Sequence, residues 1–191
     1  MRRTMATLAL LASLVGLGGC GYNGLVGMRE AIDGAWSQVE NVYQRRADLV
    51  PNLVETVKGA AAFEKDTFTA VTEARAKVGQ VTLGKVPDAQ QMQQFQTAQD
   101  GLSSALSRLL VVVEKYPELK ATQNFRDLQA QLEGTENRIA VERRRFNETA
   151  QAFNTARRRF PTVIVASLFG FAEKPYFQAA PGSDKAPQVK F

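Results

Sequence analysis

The chain has 191 residues, 45% of them hydrophobic and 23% charged, enough apolar material for one domain with its own core and too much for a globally disordered chain. Of the 24 basic residues, Arg2 and Arg3 belong to a leader, and the remainder exceed the 19 acidic residues by only three, which excludes a concentrated nucleic-acid-binding face. Histidine is absent and cysteine occurs once, which removes the usual general base, any Cys/His zinc site and any internal disulfide, so neither a metal nor a cofactor is expected.

The leader comes first. Met1-Arg2-Arg3 is a positive start, and Met5 to Gly18 is uncharged and rich in Leu, Ala, Val and Gly. At about 14 residues this run matches the apolar part of a secretory signal and falls short of the ~20 needed to span a bilayer. Leu17-Gly18-Gly19-Cys20 then places small residues before the lone cysteine. Residues 1–19 read as a lipoprotein signal peptide and Cys20 as the lipid attachment point, with an uncleaved short anchor as the alternative. Two or more acyl chains on Cys20 give a firm membrane anchor outside the cytoplasm. Gly21 follows the cysteine where inner-membrane retention favours Asp, so in a cell with two membranes the outer one is favoured, with the domain in the periplasm.

The mature region, 20–160, reads as four helices over about 23–47, 49–78, 88–116 and 118–159. In the first, Leu25, Met28, Ile32, Ala35, Val39 and Val42 alternate in steps of three and four, the spacing of a helix packed against others, and the count places Arg46 inward. Trp36 lies beside this stripe and is expected at its edge. Pro51 is costly in a helix interior and cheap in a first turn. Asp48 as N-cap therefore predicts a turn between the first two helices, with one long helix kinked at Pro51 as the alternative. The second helix carries Val50, Val54, Val57, Ala61, Phe68, Val71 and Val78 on one face, with Glu64 and Arg75 in the same register.

A loop over 79–87 leads to Asp88-Ala89-Gln90-Gln91, the pattern of a capping box. The third helix places Met92, Phe95, Gln99, Leu102, Leu106, Leu109, Val113 and Tyr116 inward, and Tyr116-Pro117 ends it. The fourth starts near Glu118 or Thr122. Its stripe is Phe125, Leu128, Leu132, Thr135, Ile139, Glu142, Phe146, Thr149, Phe153 and Ala156. Arg157, Arg158 and Arg159 complement its carbonyl end. The apolar segment over 161–179 then packs on the bundle or dips into a membrane interface through Leu168, Phe169 and Phe171. The Pro/Gly/Lys-rich tail over 180–191 is expected to be disordered. No strand-type alternation occurs, so the fold class is all-α, an antiparallel up-and-down four-helix bundle with coiled-coil packing.

Several short pieces resemble the LemA family. They are Tyr22-Asn23, the stretch Arg46-Ala47-Asp48-Leu49-Val50-Pro51-Asn52-Leu53-Val54, Glu64, Ala74-Arg75, Tyr116-Pro117-Glu118-Leu119, Glu136-Asn137-Arg138-Ile139, Asn147, Asn154, Phe160-Pro161 and Phe169-Gly170-Phe171. The likeness covers about 22–178, and the Arg-x-Asp-Leu-x-Pro-Asn-Leu stretch is its distinctive part. Phe146 departs from it, standing where the family usually has Tyr before Asn, which removes a hydroxyl. The resemblance implies a helical bundle on the outer side of the cytoplasmic membrane and an adaptor role toward envelope proteins, membrane metalloproteases among them.

Arg46, Glu64, Arg75 and Glu142 all fall on inward positions. Unpaired burial of any one costs several kcal/mol, so a buried polar network including Asn147 and Asn154 is expected. That network either fixes helix register or forms a polar groove for a small ligand. The carboxylate pairs Glu136 with Glu142 and Asp48 with Glu55 lie on helices with nothing to isolate them from water, and no catalytic function is expected. In an up-and-down bundle Arg157–Arg159, Phe169 and Phe171 return to the Cys20 end. The motif at Arg46, Asp48, Pro51 and Asn52, with Tyr116–Leu119, then lies far from the membrane as a candidate surface for an envelope protein partner.

Overall fold

The alternation of threes and fours does not stop at Pro51. Ile32, Trp36, Val39, Tyr43, Arg46, Val50, Leu53 and Val57 continue it without a slip, and all of them are buried. The computed structural model describes the backbone of residues 2–58, 65–81 and 84–178, with side chains from residue 21 onward. Among these residues the fold is all-helical, with six helices: α1 (Arg2–Lys58), α2 (Lys65–Gln80), α3 (Ala89–Val113), α4 (Pro117–Lys120), α5 (Gln123–Arg158) and α6 (Thr162–Leu168).

α1 runs unbroken through Pro51, so the turn expected at Asp48 is absent and the alternative of one long helix holds. Residues 49–58 therefore belong to α1, and α2 starts at Lys65. Asp48 is not a cap. Its exposed carboxylate accepts from Gln44 Nε2 one turn earlier (2.8 Å). The proline removes one backbone donor, whereas ending the helix there would abandon the burial of Val50, Leu53, Val54 and Val57. Each buried aliphatic side chain is worth roughly 1.5–3 kcal/mol, so packing outweighs a local penalty of about 3 kcal/mol. The expected leader, from Arg2 on, shares this same helix.

Elsewhere the boundaries follow local chemistry. Asp88 accepts from the Gln91 backbone N–H (2.8 Å), and the Gln91 side chain accepts from the Asp88 N–H (3.1 Å), closing the expected capping box. The fourth expected helix is two elements, the short α4 with Pro117 at its start and then α5 capped by the Thr122 hydroxyl.

α1 and α5 run antiparallel along their length, with Trp36 beside Phe146 and Arg46 bonded to Glu136. α3 runs alongside α1 in the same sense, from Tyr43 against Phe95 to Arg46 against Ser103. α2 pairs with α3, and α6 packs on both α1 and α5. Trp36 is at the centre of the core and not at its edge. It is 1% exposed and meets Phe95, Phe146 and Phe177. Met28, expected inward, is exposed, because the stripe passes through Leu25 and Ile32 toward Trp36.

Among the described residues the interior forms two apolar clusters. One contains Leu25, Trp36, Tyr43, Phe95, Phe146, Phe153, Phe171 and Phe177. The other contains Leu53, Val57, Val71, Leu102, Leu109, Leu119 and Phe125. Arg46, Gln99 and Thr135 are buried polar residues on α1, α3 and α5, and Arg46 and Gln99 follow the first cluster and precede the second along their helices.

Candidate functional site

Arg46 reaches the interior because its position repeats the packing stripe, and it is 2% exposed. Its guanidinium donates to Gln99 Oε1 (2.6 Å), the Gln99 carbonyl (3.2 Å), Ser103 Oγ (2.8 Å) and Glu136 Oε2 (2.9 Å), and it lies 5.1 Å from the Tyr43 ring centroid. One cation therefore joins α1, α3 and α5 in a single register, and only its Nε is left without a partner. Burial of Tyr43 raises its phenol pKa, with Arg143 and Arg46 opposing the rise. The charge partner of Arg46 is Glu136, an exposed-side residue, and not one of the inward glutamates. Glu142 is half-buried with one carboxylate oxygen unpartnered. Glu64 lies outside the described residues.

Arg75 corrects a second expectation. It is exposed and not inward, and its Nε donates to the Ala47 carbonyl (3.0 Å). In a regular helix that carbonyl accepts from the N–H four residues on. Here that residue is Pro51, which has no N–H. Arg75 from α2 supplies the donor that Pro51 lacks, so the motif proline and the motif arginine are two halves of one contact. A cavity of about 200 Å³ lies alongside, lined by Glu40, Tyr43, Arg75 and Gln99 among others. Burial raises the Glu40 carboxyl pKa, against a hydrogen bond from Trp36 that lowers it.

Asn147 and Asn154 do not join the Arg46 cluster. Each clamps one residue of an extended strap that follows α6. Asn154 donates to the Lys174 carbonyl (2.8 Å) and accepts from the Lys174 N–H (2.9 Å). Asn147 does the same for Phe177, at 3.0 and 2.8 Å. The spacing explains the pair. Seven helical residues rise about 10.5 Å and three extended residues span about 10 Å, so an antiparallel strap meets one asparagine amide at each end of that interval. Phe177 fills the aromatic core, stacked on Trp36 with centroids 6.1 Å apart, and Arg143 covers its outer face at 4.8 Å. Gln178 O accepts from Gln96 of α3 and Arg143 of α5. Among the described residues, Arg46, Arg75, Asn147 and Asn154 thus make separate contacts and not the one collective network expected. The sequence placed Gln99 inward but did not pair it, or Glu136, with Arg46, and it did not place Phe177 and Arg143 together. The seven-residue spacing of two asparagines was the available signal for the strap.

The basic cluster ending α5 is turned toward the strap. Arg157 Nε donates to the Phe171 carbonyl (3.0 Å), and Arg157 and Arg158 both pair with Glu173. The Arg158 hydrogen bond holds the Glu173 carboxyl below its usual range, and Glu173 in turn raises the Arg158 guanidinium. Arg159 stays exposed. The residues after Cys20 meet α6 and the start of the strap: Tyr22 lies 4.9 Å from Phe169 and 5.7 Å from Phe171, ring to ring. Phe171 is buried and Phe169 exposed. The Cys20 side chain lies outside those described, and so does the tail from 179 on. In the family motif, Arg46 is a core residue and not surface, while Asp48 and Asn52 are exposed one turn apart. They sit about two turns short of the end of α1, with Leu119 buried nearer that end in the second cluster.

A groove of about 860 Å³ lies along the α2–α3 pair, and its lining includes Ala70, Ala74, Ala98, Gly101 and Ala105. Glu73, Lys77 and Arg108 contribute charge to its lining. Among the described residues no helix is long and apolar enough to cross a membrane, and no group of His, Cys, Asp or Glu could hold a metal ion.

A family model described as "LemA family" matches residues 35–191. The magnetosome protein MamQ of Magnetospirillum gryphiswaldense is 29% identical, over 88% of this chain and 70% of the relative. A second MamQ, from Paramagnetospirillum magneticum, is 28% identical over 85% of this chain and 66% of its own length. Protein LemA of Metamycoplasma hominis is 25% identical, over 83% and 69%.

Proposed function

The chain belongs to the LemA family, and on that premise we propose that it is a non-catalytic, lipid-anchored bundle of the cell envelope that presents a helical surface to envelope proteins. The working body is the antiparallel arrangement of α1, α2, α3 and α5. The observation that carries the reading is the α2–α3 groove. The alanines and the glycine in its lining let a partner helix approach closely, and Glu73, Lys77 and Arg108 supply orientation. The Arg46 cluster supports a structural role for the interior, since the guanidinium spends its donors on protein groups and leaves little for a ligand.

The anchor completes the reading. Cys20 directly precedes the segment that packs against α6, and α1 extends about 57 Å from there to Lys58 at 1.5 Å per residue. Membrane attachment at one end holds the groove well away from the bilayer, in the periplasm where the cell has two membranes.

Photo-crosslinking in intact cells tests the adaptor. A crosslinker at Ala98 or Gly101 should recover a reproducible envelope protein, and one at Val141, exposed on α5, should not. Equal recovery from both positions, or none from the groove, rejects it. Intact mass tests the anchor: Cys20→Ser should lose the acyl mass, and an unacylated wild type removes that part of the proposal.

A further inference from the structure

We infer that α6 and its flanks form a second membrane contact, independent of the lipid, in which Phe160, Val163, Ile164, Leu168 and Phe169 enter the interfacial layer of the bilayer. No charged residue occurs between Arg159 and Glu173. α6 uses little of this apolar material to dock. Ala166 is buried, and Val165 lies against α1 just after Cys20, where a Cβ at Gly21 would stand 3.6 Å from it. The rest faces outward: Phe160 is 82% exposed, Leu168 77%, Ile164 and Phe169 58% each, and Val163 42%. Ile164 and Leu168 are one turn apart on the same face of α6. Apolar side chains clustered in this way on a surface mark a docking site.

Continuity with the anchor selects the bilayer as occupant. Tyr22 packs on Phe169, and Cys20 stands two residues before Tyr22. The leader, uncharged from Thr4 to Gly19, continues the α1 helix outward from this same end. A retained leader and an acylated Cys20 both bring lipid to the place where α6 sits. The surroundings suit an interface. Tyr22 is 38% exposed and has an apolar ring with a polar tip, and Arg159 is an exposed cation at headgroup level. Arg157 and Arg158 share the single carboxylate of Glu173, which offsets one of their two charges, so the contact is chiefly apolar with a cationic edge that Arg159 extends. The inference rests on the anchored reading only for which end faces the membrane.

Full-length protein carrying Cys20→Ser, which retains the leader, can be reconstituted into phosphatidylethanolamine–phosphatidylglycerol vesicles and spin-labelled at one introduced cysteine. Ile164→Cys and Leu168→Cys report on the contact, and Val111→Cys, 67% exposed on α3, is the water reference. Circular dichroism matching the parent shows that each variant is folded. The expected result is a severalfold fall in collisions with a water-soluble nickel chelate at 164 and 168 relative to 111, with a rise in collisions with oxygen. Nickel accessibility at 164 and 168 equal to that at 111 overturns the inference. Shielding from both reagents also overturns it, because protein then covers the face. Groove crosslinks that persist while 164 and 168 stay wet reject this contact alone and leave the adaptor standing.

Discussion

Replacing Arg75 with Met tests whether Pro51 and Arg75 act as a pair. The substitution keeps an apolar stem of similar length and deletes the donor to the Ala47 carbonyl, 3.0 Å from Nε. A hydrogen bond to a charged donor contributes about 1.5–3 kcal/mol, and leaving a buried acceptor unmade costs about 1–3. Arg75 is exposed, so water can partly replace it and the lower part of the range applies, about 1.5 kcal/mol. For a chain of this size that lowers the melting temperature by about 3–6 °C, read from the helical circular dichroism signal. The decisive step is the cycle with Pro51→Ala. An alanine at 51 restores the N–H that the Ala47 carbonyl lacks, so Arg75→Met in that background should cost less than about 0.5 kcal/mol. Pro51→Ala alone should stabilise by less than the ~3 kcal/mol of a helix-interior proline, because Arg75 already offsets part of it. Additivity of the two substitutions within about 0.5 kcal/mol refutes the pairing.

Three further outcomes follow from the other contacts. Arg46→Leu strands Gln99 Oε1 and Ser103 in the interior and should cost about 3 kcal/mol in urea unfolding, whereas Glu136→Gln, at a half-exposed position, should cost under about 1. Equal costs would mean that the ion pair, and not the burial of the guanidinium, fixes the register. Asn154→Ala should abolish hydrogen-exchange protection of the Lys174 amide and Asn147→Ala that of Phe177, since each amide donates to that side chain; unchanged protection contradicts the clamp. Glu40 has a raised carboxyl pKa in the folded chain, so its ionisation opposes folding. Folded-state advantage from its protonated form is full below the unfolded carboxylate pKa and fades as pH rises through the folded value. Glu40→Gln should therefore be more stable than wild type at neutral pH and show no advantage in acid, and a variant less stable at neutral pH contradicts the assignment.

Most buried positions were legible because helix packing has a period and these helices keep it. Met92, Phe95, Gln99, Leu102, Leu106, Leu109 and Val113 are all buried as spaced, polar Gln99 included. Pro51 was misread because a local rule was given priority over a longer one. One proline costs about 3 kcal/mol, yet the stripe from Tyr43 to Val57 crosses it in register, and its combined burial is larger. Arg75 was misplaced for a related reason: heptad position predicts the interior, whereas its task is to reach a backbone oxygen on another helix. That oxygen is vacant only because a proline lies four residues further on. The compensation for a broken local rule is tertiary, so the rule's failure in the sequence points to where a partner must come from.

The strap was illegible for a different reason. Residues 171–178 have no periodicity of their own, and their partners are two asparagine amides that imitate the edge of a sheet. Nothing in an extended segment announces this until the rises match, about 10.5 Å on α5 against about 10 Å along the strap. Once in place, the strap connects the aromatic core to the α6 end of the fold. Phe177 completes the aromatic core around Trp36, while Phe171 touches Tyr22, two residues after Cys20. Arg157, Arg158 and Glu173 fasten the segment between these points. The α6 end is therefore continuous with the hydrophobic core: the seven residues from Phe171 to Phe177 join the contact at Tyr22 to the packing of Trp36.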